Sequence, residues 1–160
     1  MGLVVITMID SDAKASEFEL VGWREWVALP ELGVSSLKCK VDTGARTSAL
    51  HTFHIDEFRK EGQRWVRFGL HPQQKNTQVE VWCEAPVSDV RQVTDSGGHM
   101  TERYFIVTPL LLGSHRFDVE MSLTSRDNML FRMLLGRQAM KRMFCVNPAA
   151  SYLQGRPNLS

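Results

Sequence analysis

Residues 40–46 read Lys40-Val41-Asp42-Thr43-Gly44-Ala45-Arg46, which places an acid, a hydroxyl and a glycine at the end of an apolar run. The tripeptide alone is compatible with an ordinary turn, because Asp accepts hydrogen bonds from amides two residues on and Gly tolerates a positive φ. A second motif, Leu134-Leu135-Gly136-Arg137, has its glycine 94 residues after Asp42 (136 − 42). Two such motifs in one chain favour a functional acid loop over a simple turn.

The chain of 160 residues has the composition of an ordinary globular protein. Apolar residues make up 43% and charged residues 23%, values that exclude a disordered or fibrous chain. The net charge of +1 indicates neither a nucleic-acid nor a membrane partner, and no apolar run approaches the length of a membrane span. Three cysteines without a C-x-x-C spacing fit a reducing compartment. We therefore expect one cytoplasmic domain over residues 1–160, with loose ends at 1–16 and 156–160.

Short runs of alternating apolar and polar residues, separated by turn residues, predict a β-rich fold. The run 64–70 is a clear case, since Val66, Phe68 and Leu70 share one face. Good helix formers over 138–144 predict one short helix near the C-terminus. The predicted strands cover 21–29, 37–41, 49–55, 64–70, 78–83, 87–93, 102–108, 116–123 and 129–135. This order predicts a mainly β fold, a closed or nearly closed β-barrel with one short C-terminal helix.

The two motifs together resemble the two halves of one lobe of a pepsin-like or retropepsin-like aspartic protease. Longer stretches resemble one bacterial family more closely: GWREW at 22–26, KVDTGARTSALH at 40–51 and FRMLLGR at 131–137. This is the RimK-associated, retropepsin-like family labelled "ATP-dependent zinc protease". The resemblance extends from about Glu19 to about Gly155.

The resemblance implies a retropepsin-like barrel with one acid loop per chain, formed by Asp42, Thr43 and Gly44 as catalytic residues. Aspartic proteolysis needs two carboxylates that share a proton, one acting as base toward water and one as acid toward the carbonyl. A chain with one acid loop must therefore form a two-fold homodimer. Leu135 and Gly136 are expected to brace the loop, and Arg137 to pair with a carboxylate at the dimer or sheet edge.

The substrate and partners follow from the resemblance and from two local features. Arg46 stands where the viral proteases usually have another acid, and a cation there suits an acidic substrate. The tip 94–99, with Ser96 and Gly97, is a candidate substrate-binding flap, although a plain surface hairpin is equally compatible with it. Family members are associated with a RimK-type ligase that adds glutamates to a ribosomal protein. The expected substrate is a peptide or glutamate-rich tail, and the ligase or ribosomal protein is the expected partner.

Two other classes of function remain open. The family label suggests a zinc-dependent hydrolase, for which His51 and His54 are the closest histidine pair, with Asp42 and Cys83 as further ligands if the chain brings them together. A non-catalytic binding module for the ligase or the ribosomal partner is the second alternative. The aspartic reaction itself requires no cofactor, and the sequence has no G-x-x-x-x-G-K-[ST] loop for ATP.

Overall fold

The computed structural model describes residues 17–94 and 96–158, so the predicted loose end at 1–16 lies outside the described residues. Strands dominate this part of the chain, as the alternating sequence predicts. They are β1 (Glu19–Val21), β2 (Arg24–Leu29), β3 (Val34–Asp42), β4 (Ser48–His51), β5 (His54–Lys60), β6 (Gln63–Leu70), β7 (Val81–Pro86), β8 (Asp89–Thr94), β9 (Met100–Leu112), β10 (His115–Thr124), β11 (Met133–Gly136) and β12 (Phe144–Val146). A 3-10 helix covers Pro30–Leu32, and the short α-helix α1 covers Arg137–Met140.

Six strands form a ring, which confirms the predicted mainly β, nearly closed barrel. Neighbouring strands follow the order β10-β4-β11-β3-β2-β9, and β9 pairs again with β10 to complete the circle. The link between β2 and β9 is the thinnest, through Ala28 and Leu111. The strand β8 extends the sheet as the outer neighbour of β9.

A three-stranded sheet, β5-β6-β7, lies between the acid loop and the β8–β9 hairpin in sequence. Its inner face carries the predicted row of Val66, Phe68 and Leu70, all fully buried. These side chains join the buried side chains of the ring in a single hydrophobic cluster. Because one face of this sheet is packed against the ring, the alternation in β6 also fixes its register.

Two predicted strands are interrupted at points where the backbone makes a close contact. The run 21–29 divides into β1 and β2 at Gly22, where an added Cβ would lie 2.2 Å from the Ala150 carbonyl oxygen. The amide of Trp23 donates to that same oxygen at 2.8 Å. The run 49–55 divides into β4 and β5 at Thr52 and Phe53.

The end of the chain also differs from the prediction. The helix predicted over 138–144 is wrong beyond Met140, because Phe144 begins β12 and pairs in parallel with Glu19 of β1. The strand predicted over 129–135 starts only at Met133. Among the described residues, no helix has both the length and the apolar character needed to cross a membrane.

Candidate functional site

The acid loop begins where β3 ends, at Asp42. The Asp42 side chain is half-buried, while Thr43 and Gly44 are exposed. Oδ1 of Asp42 accepts a hydrogen bond from the Gly44 amide at 3.1 Å, and the Ala45 amide donates to the Asp42 carbonyl at 3.2 Å. The loop is therefore a tight turn that holds the carboxylate beside its own backbone.

The strand β11 braces this loop, as the sequence predicts for Leu135 and Gly136. It runs parallel to β3, with Leu135 opposite Val41 and Gly136 opposite Asp42. The Arg137 amide then donates to the Ala45 carbonyl at 2.8 Å. Hydrogen bonds from β11 and the start of α1 therefore fix the backbone on both sides of the acid.

Gly136 is required by a close approach of two backbones. A Cβ at this position would lie 2.6 Å from the carbonyl carbon of Thr47 and 2.9 Å from the amide nitrogen of Ser48. The Gly136 amide donates to the buried Ser48 Oγ at 2.9 Å. Any larger residue would push the segment that follows the acid loop away from β11.

Arg137 supports the loop in a way that differs from the prediction. Its Nη1 donates to the Thr43 carbonyl oxygen at 2.9 Å. Within the described part of the chain the guanidinium binds the backbone of the acid loop, and the pairing of Arg137 with a carboxylate at a dimer edge stays a prediction. Arg137 thus completes the set of hydrogen bonds that hold residues 42–46.

Beside the acid loop lies a polar cavity of about 640 Å³, which includes the predicted substrate-binding residue Arg46. Arg91 in its wall is already neutralised, since it forms two 3.0 Å hydrogen bonds with Glu120 and a 2.7 Å bond with Asp89. The lining residues are Arg46, Thr47, Ser48, Arg91, Asp118, Val119, Glu120, Gln138 and Ala139. The cavity wall therefore carries charges of both signs rather than a purely cationic surface.

The predicted hairpin tip is present, between the end of β8 and the start of β9. The two strands pair as far as Thr94 and Met100. Ser96 and Gly97 are exposed at the tip, on a different element from the acid loop, and Gly98 has a φ of 83°. The role of this tip as a flap stays a prediction.

The two histidines considered as zinc ligands belong to separate environments. His51 is buried, its Nδ1 shares a hydrogen bond with Thr124 Oγ1, and its Nε2 has no hydrogen-bond partner among residues 17–94 and 96–158. Burial, and then the charges of nearby arginines, lower the pKa of His51 from 6.5 to about 4. His54 is exposed and its Nε2 pairs with Asp56.

The other two residues of the zinc hypothesis also have partners elsewhere. Cys83 Sγ donates to the Leu32 carbonyl at 3.3 Å, and burial raises the pKa of the Cys83 thiol to about 12. Across residues 17–94 and 96–158, no three His, Cys, Asp or Glu side chains form a group suited to a metal ion. Asp42, His51, His54 and Cys83, which the zinc alternative needs to bring together, therefore do not form such a group in this part of the chain.

Sequence reasoning missed a buried polar cluster around Arg132. Its guanidinium donates to the carbonyls of His71 at 3.1 Å, Met129 at 2.7 Å and Asp127. The His71 Nδ1 in turn lies 2.8 Å from a carboxylate oxygen of Asp127, and its Nε2 lies 3.7 Å from Glu80. A charged residue inside the apolar motif FRMLLGR was the available signal. The cluster fixes the loop between β10 and β11, directly before the strand that braces Asp42.

Comparisons with known proteins place this geometry in context. The model of a family described as "Retropepsin-like aspartic endopeptidase RimB" matches residues 20–157. Proteins named "Probable alpha-L-glutamate ligase" from Shewanella halifaxensis and Shewanella pealeana are 44% and 43% identical over 87% and 85% of this chain. The chain spans 30% of the length of each of these relatives. A crystal structure of a Legionella pneumophila protein of unknown function (DUF785) matches with a TM-score of 0.69 and 26% identity, over 84% of this chain and 97% of that one.

Proposed function

This chain belongs to the RimB-like family of retropepsin-like aspartic endopeptidases, and we propose that it is an aspartic-type peptidase in which Asp42 is the catalytic acid. The observation that carries the proposal is the braced acid loop. Asp42 ends a core strand, and hydrogen bonds from Arg137 and from the amides after β11 hold the loop. Catalytic carboxylates need this kind of fixed support to keep their geometry through the reaction.

The reaction requires a second carboxylate, and we propose that a second copy of the chain supplies it. Two carboxylates about 3 Å apart share one proton, so that one acts as base toward water while the other donates to the peptide carbonyl. Thr43 and Gly44 are exposed in the single chain, so their surface is accessible to the same loop of a partner. A two-fold axis through this point would bring the two Asp42 side chains together. This mechanism uses no metal or other cofactor.

We propose glutamate-rich protein tails as the substrate, with a RimK-type ligase or its ribosomal protein as the associated partner. The support is the set of relatives named glutamate ligases, in which a region similar to this chain forms 30% of the length. Arg46, exposed in the cavity beside the acid loop, is the proposed contact for a substrate carboxylate. Ser96 and Gly97 would contact the substrate from the hairpin tip.

The test combines the mass of the protein in solution with hydrolysis of glutamate-extended peptides. The wild-type protein should form a dimer and shorten the peptides, and Asp42→Asn should remain a dimer with activity at background. Asp56→Asn is the matched control, since Asp56 is an exposed aspartate on β5 that pairs with His54. A strict monomer, or an Asp42→Asn variant with full activity, would contradict the proposal.

A binding module is the second candidate, because the similar region in the relatives is one part of a longer protein named as a ligase. In that case wild type and Asp42→Asn should bind the ligase equally well, and neither should hydrolyse the peptides. The same preparations, made without a histidine tag and assayed for bound zinc, also test the metal-dependent alternative.

A further inference from the structure

The barrel contains a fork at which β9 and β10 stop pairing. Their ladder runs from Leu112 opposite His115 to Phe105 opposite Ser122. Beyond that point β9 continues along β8, while β10 continues along β4 with Thr124 opposite His51. The two strands therefore diverge, with β9 following β8 and β10 following β4. A cavity of about 420 Å³ lies between β9 and β10 at this point.

The fork cavity is lined on both sides by polar groups. Its lining residues are Ile55, Thr101, Glu102, Arg103, Tyr104, Leu123, Thr124, Ser125 and Arg126. Arg103 comes from the β9 side, and Arg126 comes from the segment that follows β10. Neither arginine forms an ion pair with an acid in the described part of the chain, although Glu102 also lines the cavity. Two unpaired guanidinium groups against one carboxylate leave a net positive charge here.

His51 is hydrogen-bonded to Thr124, and the positive charge of the two arginines acts on its imidazole ring. Its side chain is 3% exposed, and its protonated form is disfavoured first by burial and then by the charges of Arg126 and Arg103. The charges of the two arginines therefore add to the effect of burial in keeping the His51 imidazole neutral.

We propose that the fork cavity is an oxyanion-binding site, in which Arg103 and Arg126 bind one carboxylate or phosphate group between them. Guanidinium groups match the planar oxygens of such anions and bind them with charge-assisted hydrogen bonds. The exposed Ser125 hydroxyl is a further donor at the rim. Because Arg103 belongs to an arm of the hairpin and Arg126 to a loop, the bound anion would join these two elements.

This site is separate from the acid loop. Ser48, which bonds Gly136 beside Asp42, and His51, which lies beside the fork, are three residues apart on β4. At ~3.3 Å per residue the two positions are about 10 Å apart along the strand. The proposal consequently does not depend on whether Asp42 is catalytic.

The test measures binding of inorganic phosphate and of a short glutamate peptide, with a glutamine peptide of equal length as the uncharged comparison. Calorimetry gives the affinities, and the His51 ring signals in NMR report the site directly. Arg103→Gln and Arg126→Gln should each weaken binding by roughly tenfold, the loss of one charge-assisted interaction. Arg116→Gln is the matched control, since it removes an exposed arginine of β10 that does not line the fork cavity and faces Glu31 at 3.7 Å.

The outcomes answer two separate questions: whether the site binds an anion at all, and which kind of anion it binds. Tighter binding of the glutamate peptide than of phosphate assigns the site to an acidic peptide, and the reverse assigns it to a free phosphate-type anion. Absence of binding by both probes at millimolar concentration overturns the proposal. Equal weakening by Arg116→Gln overturns it too, because that result would indicate nonspecific attraction to the net charge.

Discussion

Acidification should destabilise this protein through His51, and the size of the effect can be worked out from the structure. In the folded chain the pKa of His51 is about 4, because the ring is buried and lies near three arginines. In the unfolded chain it returns to its ordinary value of 6.5. Between these two values the unfolded state binds a proton that the folded state does not.

This difference in proton binding sets the sign and the magnitude of the change in the free energy of unfolding with pH. Above pH 6.5 the ring is neutral in both states, so the titration of His51 does not lower the free energy of unfolding. As the pH falls from 6.5 toward 4, stability is lost, at ~1.4 kcal/mol for each pH unit. The interval of about 2.5 units thus corresponds to about 3 kcal/mol, a large share of the 5–15 kcal/mol that is typical of a folded domain.

The assay is urea unfolding at a series of pH values, for wild type and His51→Gln. Glutamine keeps a polar group near Thr124 but does not titrate, so the difference between the two curves isolates His51 from the other ionisable groups. We expect the wild-type free energy of unfolding to fall more steeply with acid than that of the variant. Parallel curves, or an NMR titration midpoint near 6.5 for His51 in the folded protein, would refute the reasoning.

Two further substitutions test the supports of the barrel and of the acid loop. Glu25→Ala should lower the free energy of unfolding by about 3 kcal/mol or more, because it leaves three backbone amides without their buried acceptor; a loss below ~1 kcal/mol in urea unfolding would show that these amides find other partners. Gly136→Ala should cost about 1–3 kcal/mol, because the new methyl group meets the backbone of Thr47. The variant should also have a lower kcat in the peptidase assay, measured on samples that circular dichroism shows to be folded. An unchanged kcat would show that the packing of β11 against the acid loop does not affect catalysis.

The sequence was sufficient for the features that depend on periodicity and on local motifs. Alternation in 64–70 grouped Val66, Phe68 and Leu70 on one face, and the structure buries that face, because a strand with one buried face must alternate. The alternation acts over a few residues, so a single sequence displays it. The bracing role of 134–137 came instead from the resemblance to a family, and the structure shows β11 parallel to β3, with Gly136 packed against Thr47 from a distant part of the chain.

Features that depend on distant contacts were not predictable. Glu25 looked like one member of an alternating strand face, yet its carboxylate is fully buried and accepts hydrogen bonds from the amides of Gly22, Leu153 and Gln154. Leu153 and Gln154 lie more than a hundred positions away in the sequence, and no residue near Glu25 indicates that they are its partners. The same holds for one contact of Arg132: Asp127 and Met129 lie within five positions of it, but His71 lies 61 positions away and only the fold brings it near.

The 94 residues from Asp42 to Gly136 (136 − 42) include the three-stranded sheet β5-β6-β7, which is additional to the ring and contacts the hairpin. The extra sheet β5-β6-β7 reaches the base of the hairpin, where the Tyr104 hydroxyl donates to Glu57 Oε1 at 3.0 Å and Ile55 lines the fork cavity. Burial, together with the bond to Glu57, raises the pKa of Tyr104, so this hydroxyl remains a donor at neutral pH. This hydrogen bond holds the base of the hairpin to β5, and the segment between Tyr104 and the tip extends beyond it. That segment includes Arg103, so an anion held between Arg103 and Arg126 would restrict the part of the hairpin that the extra sheet leaves free.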